Sequence, residues 1–347
     1  MRGTLTSIEG PLYEKTLSCV HCGLCLPACP AYESLGRESV APRGQVYNIR
    51  AVLEGRLSLT KTLAKDIYDC LACRACESVC PAGVPVGSIM EDVRGLITRA
   101  RSESRLSRSV KRFMLGGILC HPGRLSLVME LLRFYEWSGL RKVLRAVGVL
   151  SFLPGRLSEK ETLLPSVPPR AERRPMPPVL PAEGKLRKRV ALFTGCVASH
   201  LFPDVNRATA RVLQRNGYEV AVPRRQTCCG ALHLHNGLPE VARELAGRNV
   251  DAFLSVAADA VVVNAAGCGA ALAEYGELLG PSESAARFAA QVVDISALLV
   301  REGYESPSGR LDALVAYDAP CHLYHGQGVR EEPEQLLASI PGVRLVR

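Results

Sequence analysis

Two matched runs of cysteine constrain this chain more than anything else in it. The first is Cys19-x2-Cys22-x2-Cys25-x3-Cys29-Pro30, and the second is Cys70-x2-Cys73-x2-Cys76-x3-Cys80-Pro81. Two-residue spacers let three thiolates wrap one four-iron cubane while backbone N–H groups face its sulfides. The proline swings the fourth thiolate away, toward a neighbouring cluster. The spacing therefore groups Cys19, Cys22, Cys25 and Cys80 around one [4Fe-4S] cluster. Cys70, Cys73, Cys76 and Cys29 group around a second. Zinc or buried free thiols would account for one such run; two matched runs, each closed by proline, fit a cluster pair better.

The other cysteines and the charge narrow the setting. The chain has 347 residues, 14 of them cysteine, and a net charge of +9. A disulfide framework is disfavoured on three grounds. The opening MRGTLTSIEGPLYEK lacks the apolar stretch of a signal peptide, the chain is large, and thirteen cysteines fall into ligand-like groupings. The expected compartment is a reducing cytoplasm. No apolar run reaches the roughly 18 residues of a membrane span; the stretches 113–120 and 146–153 are too short. Basic residues are not interleaved with aromatics, so nucleic acid is excluded as a partner. An acidic partner subunit, or a peripheral position on the anionic inner face of the cytoplasmic membrane, suits the charge better.

The expected architecture is multidomain α+β. Residues 1–98 form a helical ferredoxin domain, because the forty residues between Cys29 and Cys70 are too many for a compact β-ferredoxin. Helices are expected over 44–55 and 90–101. Arg43, at the start of the first, either binds a cluster-proximal carbonyl or a partner carboxylate, or simply opens the helix in solvent. Residues 99–154 form a basic amphipathic helical segment, in which Arg99, Arg101, Arg105, Arg108, Lys111 and Arg112 face the single acid Glu103. A solvated face and a docking face both remain open for it. Residues 155–189 read as a Pro-rich basic linker, with seven prolines between Pro165 and Pro181. Such a linker is expected to run extended and to uncouple the cores on either side.

From Val190 the pattern alternates strand with helix, which implies a parallel, doubly wound sheet. Strands are expected at 190–194, 218–222 and 260–264, and helices at 204–216 and 239–253. Cys196, the Cys228-Cys229-Gly230 turn and Cys268 each follow a strand. In a doubly wound sheet such ends line one crevice, so the four thiols converge there. A four-thiolate metal site, most simply a further iron–sulfur cluster, is the favoured reading; zinc and a redox dithiol are the alternatives. Cys120 has no partner in sequence and reads as a buried hydrophobe. His233 and His235 read as core or solvated residues rather than ligands. His322 and His325 fit a site role or a helix start equally.

The tail repeats this pattern. Residues 189–196 (RVALFTGC) resemble residues 313–321 (ALVAYDAPC), and a glycine follows 21 residues after each cysteine, at Gly217 and Gly342. Residues 190–312 are therefore one copy and 313–347 the opening of a second, incomplete one. In the first copy Cys228 lies 32 residues after Cys196. The same offset from Cys321 gives position 353, so the natural protein is expected to continue past Arg347 into a second Cys-Cys-Gly turn.

Taken in order, CVHCGLCLPACPAY, the PRG turn, CLACRACESVCPAGV, the TGC strand, TCCGALHLH, NAAGCGAALAEYG and PCHLYHGQG resemble the iron–sulfur subunit of glycolate oxidase (glycolate dehydrogenase). The likeness covers essentially the whole chain. It implies a flavoprotein partner that oxidises glycolate or a similar 2-hydroxy acid. This chain would then relay electrons through its clusters toward a quinone or another membrane-surface acceptor. No glycine fingerprint for flavin follows a predicted strand, so no catalytic residue is assigned here. The metal ligands expected are Cys19, Cys22, Cys25, Cys29, Cys70, Cys73, Cys76, Cys80, Cys196, Cys228, Cys229, Cys268 and Cys321. Related lactate and anaerobic glycerol-3-phosphate dehydrogenases, and heterodisulfide reductases with a CCG site of their own, are the alternative reading. Two departures stand out. Cys268 is followed by Ala271 where some members carry another cysteine, and only Cys321 of a second CCG motif is present.

Overall fold

The computed structural model describes residues 10–100, 105–148 and 157–346. The first nine residues, Arg101, Glu103, the apolar residues 149–153 and Arg347 lie outside the described residues.

The first unit is helical and exists to present its cysteine loops. Helices α1 (Pro11–Leu17), α2 (Pro30–Leu35), α3 (Pro42–Leu53), α4 (Lys61–Tyr68), α5 (Ala75–Ser78) and α6 (Val86–Arg99) alternate with those loops. Prolines open α1, α2 and α3, where the missing N–H has no helical partner anyway. Thr60 caps α4, its hydroxyl accepting from the Leu63 amide at 3.1 Å. Val46, Ile49 and Leu53 on α3 meet Ile89, Met90, Val93 and Ile97 on α6, with Ile67 between them. These spacings of three and four put each apolar stripe on one helix face. The helices expected at 44–55 and 90–101 occupy 42–53 and 86–99. The second starts earlier because Gly87 sits against Arg74 and Glu77, and its amide donates to the Glu77 carboxylate at 2.5 Å.

The second unit is a five-stranded sheet in the order β1-β3-β2-β4-β5. Its strands are β1 (Val179–Leu180), β2 (Lys188–Phe193), β3 (Tyr218–Ala221), β4 (Ala260–Val263) and β5 (Val292–Asp294). All pairings are parallel except β1 with β3. The AVVV run of β4 is buried throughout, as a central parallel strand covered on both faces requires. Leu213 and Ala210 of the Pro203–Arg215 helix cover one face. Val250 and Phe253 of the Pro239–Leu254 helix cover the other. Strands β6 (Ala313–Ala316) and β7 (Val343–Val346) pair in parallel in a small sheet of their own.

The proline-rich stretch departs from expectation. It does not hang free between two cores. Val179 and Leu180 form the edge strand β1, and the Pro178 carbonyl accepts from the Val222 amide at 2.8 Å. Val167 is buried with Leu125 and Met129, and Arg173 bridges to Glu130 at 2.6 Å. Proline removes a donor, but a sheet edge asks only for acceptance on one side, and packing asks for neither. The two units are docked on each other as well. Lys15 of α1 reaches Glu277 at 2.7 Å, and Arg74 pairs with Glu274.

The basic segment holds α7 (Arg105–Lys111), a π-helical stretch Arg112–Leu119, α8 (Pro122–Trp137) and α9 (Leu140–Ala146). Leu125 and Met129 of α8 are buried, whereas Leu127, Leu131, Phe134 and Trp137 face outward, Trp137 being 81% exposed. Among the described residues no helix is long and apolar enough to cross a membrane.

Candidate metal centres

The two ferredoxin runs fold into loops of the same backbone design. In the first, His21 and Gly23 adopt left-handed backbone, with φ of 56° and 87°. In the second, Ala72 and Arg74 do the same at 54° and 63°. Each pair flanks the second cysteine of its run. Left-handed residues placed this way turn successive N–H groups inward, the backbone geometry of an anion-binding nest. An arginine secures each loop by the corresponding carbonyls. Arg50 reaches the carbonyls of Thr16 and of Cys19, the latter at 3.3 Å. Arg94 reaches those of Ile67 at 3.1 Å and Cys70 at 2.5 Å. In both cases the targets are the first cysteine and the residue three before it.

The eight thiols line two adjoining hollows. Cys19, Cys22, Cys25 and Cys80 line one, Cys29, Cys70 and Cys73 line the other, and Cys76 borders both. Burial pushes the thiols of Cys25, Cys70, Cys73 and Cys76 above their ordinary range. Without a cation they stay protonated, so it is metal that would draw the thiolates out. Of the readings open for Arg43, the structure shows the carbonyl contact, with an ion pair inside this chain beside it. It donates to the His21 carbonyl at 3.4 Å and pairs with Glu38 at 2.6 Å.

The CCG thiols come together at the ends of β2, β3 and β4. Cys196, Cys229 and His233 surround the Cys228 thiol, and their polar hydrogens hold it below the ordinary thiol range. Cys229 donates to Cys268 at 3.4 Å. A polar frame fixes the turn. Asn249 donates to the Cys228 carbonyl at 3.1 Å and accepts from the Thr227 amide at 2.7 Å. The Tyr275 hydroxyl donates to the Cys229 carbonyl at 2.8 Å. Gln226 accepts from the Thr194 amide at 2.8 Å, tying the turn to the end of β2. Gly230 has φ of 87°, and a Cβ there would stand 3.3 Å from Ala242.

Cys321 opens the segment that packs on the helix carrying Cys268. It is exposed and lies near Cys73, on the ferredoxin side. The motif around it forms the junction between the units. His325 hydrogen-bonds Ser78 at 2.7 Å, and Gln327 donates to the Ala266 carbonyl at 3.0 Å, on the helix that carries Cys268. His322 stacks near His235 with ring centroids 5.6 Å apart. Among the described residues no three His, Cys, Asp or Glu side chains converge on a single-ion position. A cubane spreads its ligands around a wider body than one ion does.

Several residues here carry no sequence signal. Arg50 and Arg94 are ordinary helical arginines until the fold brings the loops to them. Asn249 stands out only as a polar residue on the buried face of its helix. Tyr275 lies within the NAAGCGAALAEYG segment, but its role depends on the fold. Cys120 is buried as expected, and burial pushes its thiol up to about 11. It is not merely apolar filling, however: its sulfur sits 3.2 Å from Nε2 of His233, which is fully buried.

Residues 15–84 match the 4Fe-4S dicluster domain and residues 190–273 the cysteine-rich domain. Residues 106–164 match the linker region of glycolate oxidase iron–sulfur subunits. A protein of Bacillus subtilis (strain 168), described as a probable glycolate oxidase iron–sulfur subunit, is 38% identical over 94% of this chain and 75% of its own length. The chain belongs to the glycolate oxidase iron–sulfur subunit family. The family member of Escherichia coli (strain K12) is 35% identical over 92% of this chain and 74% of its own. A CoM/CoB fumarate reductase subunit of Methanothermobacter marburgensis is 27% identical over 96% of this chain and 57% of its own. No solved structure matches. As a member of this family the chain is an electron-transfer iron–sulfur subunit, and its dicluster domain fits two [4Fe-4S] clusters.

Proposed function

We propose that this chain receives electrons from a flavoprotein subunit oxidising glycolate or a similar 2-hydroxy acid, and relays them through three centres in order. Cys19, Cys22, Cys25 and Cys80 hold the first [4Fe-4S] cluster. Cys70, Cys73, Cys76 and Cys29 hold the second. Cys196, Cys228, Cys229 and Cys268 hold a further iron–sulfur centre, from which electrons pass to a quinone. The observation that carries this reading is Arg94. It is buried and binds the Cys70 carbonyl with one nitrogen and the His235 carbonyl, just past the CCG turn, with another at 3.2 Å. That joins the second cluster loop to the CCG turn by a single side chain.

The boundaries 1–98, 99–154, 155–189, 190–312 and 313–347 remain the proposed division. The parallel β6–β7 pair supports reading the last part as the opening of a second copy, since β2 and β3 pair the same way. The outward apolar stripe of α8 supports a resting place on an anionic membrane surface. Nine lysines and arginines stand against Glu130 and Glu136 between Arg105 and Gly148.

The test is anaerobic purification with the flavoprotein. The two cubanes alone account for about eight iron and eight sulfide per chain, and the reduced clusters should broaden each other's EPR signals. Stoichiometric zinc with no visible chromophore refutes the cluster assignment. Glycolate oxidation by the single chain, free of flavin, overturns the division of labour. The 3.4 Å approach of Cys229 to Cys268 favours one second reading, a redox dithiol that reduces a disulfide directly. Disulfide turnover by iron-free chain would select it.

A further inference from the structure

Cys120 comes from the linker region, 76 residues before Cys196, yet it lies in one buried cluster with Cys228 and with Cys196 packed against it. It ends the π-helical stretch Arg112–Leu119, a widened turn of the kind often found at functional sites. Only 8% of its surface is exposed, and its sulfur meets the carbonyl of Leu115 at 3.3 Å and Nε2 of His233 at 3.2 Å. His233 stands in the first turn after Gly230, so the CCG turn itself delivers the imidazole. Nε2 also lies 3.1 Å from the Leu115 carbonyl. Its other nitrogen, Nδ1, is buried without a protein partner. A thiol that serves only as apolar filling needs neither an imidazole nor a neighbouring thiol cluster.

We propose that Cys120 belongs to the CCG centre and supplies it with a fifth sulfur ligand, positioned by His233. The proton of the thiol leaves to solvent as the iron–sulfur bond forms. This rests on the reading that Cys196, Cys228, Cys229 and Cys268 hold an iron–sulfur centre. The ligand set thereby regains in space the cysteine that Ala271 denies it in sequence. The linker helices are then part of the metal site and not only a connection between units.

The experiment uses the full chain, purified anaerobically and reconstituted with iron and sulfide, in five forms: unaltered, Cys120→Ser, Cys120→Ala, His233→Gln and Cys228→Ser. Iron content, Mössbauer spectra and the rate of iron loss to a chelator are read, with the ferredoxin EPR signals as an internal control of folding. Cys120→Ser is expected to shift one iron subsite of the CCG centre. Cys120→Ala is expected to speed iron loss from that centre about tenfold or more, with the ferredoxin signals unchanged. His233→Gln, which keeps an N–H toward Leu115, should shift the same subsite less. Unaltered CCG spectra and iron retention in both Cys120 variants overturn the proposal. Iron limited to the two ferredoxin clusters in the unaltered chain, with Cys228→Ser indistinguishable from it, overturns the reading beneath instead.

Discussion

At the residue scale the cysteine loops are built from backbone that side chains normally avoid. Of the four left-handed positions His21, Gly23, Ala72 and Arg74, only one is glycine. Each of the other three costs on the order of 1–2 kcal/mol, and such strain persists where a site over-determines it. Removing the clusters should therefore loosen these loops first. Hydrogen exchange after anaerobic chelation is expected to rise at 19–25 and 70–76 while the α3–α6 core stays protected. Equal protection with and without iron would remove the role assigned to the nests. The CCG turn depends on different chemistry. Asn249→Ala leaves the Cys228 carbonyl and the Thr227 amide without their partner, at roughly 1–3 kcal/mol for buried groups. A lower melting temperature and a perturbed CCG centre are expected, with ferredoxin EPR signals intact.

At the element scale the linker region does more than span a gap. Its prolines did not prevent packing, because β1 occupies a sheet edge and Val167 closes a small apolar cluster with Leu125 and Met129. The opposite face of α8 remains uncovered. Leu127, Leu131, Phe134 and Trp137 recur at spacings of four, three and three and so share one side. Binding to vesicles that contain anionic phospholipid is expected, weakened by salt and abolished by replacing Leu131, Phe134 and Trp137 together with serine. Co-sedimentation measures it. Equal binding of the triple variant would show that this stripe does not face the membrane.

At the scale of the whole molecule, the two units act as one conductor only while they stay docked. Arg74 is buried and pairs with Glu274 across the junction, beside the Cys73 loop. Glu274→Ala strands that guanidinium, costing about 1–3 kcal/mol, and is expected to expose the 155–189 stretch to proteolysis. Arg94→Leu cuts the bridge from the Cys70 carbonyl to the His235 carbonyl. Rapid-freeze EPR should then show the ferredoxin clusters reduced at the usual rate and the CCG centre reduced more slowly. Unchanged CCG reduction in that variant would place the electron path elsewhere.

What the sequence determined is local and periodic. Cysteine spacing set the two ferredoxin loops, and strand–helix alternation set the sheet and brought Cys196, Cys228, Cys229 and Cys268 to one edge of it. Both follow from short-range rules: a spacer that spans one cubane, and a strand that ends where its neighbour ends. The tertiary structure decided what joins those parts. Arg50 and Arg94 became loop clamps, Cys120 and His233 met across 113 residues, and Cys321 fell near Cys73. No periodicity encodes such pairings, because each partner is an ordinary helical or loop residue until packing removes the water between them.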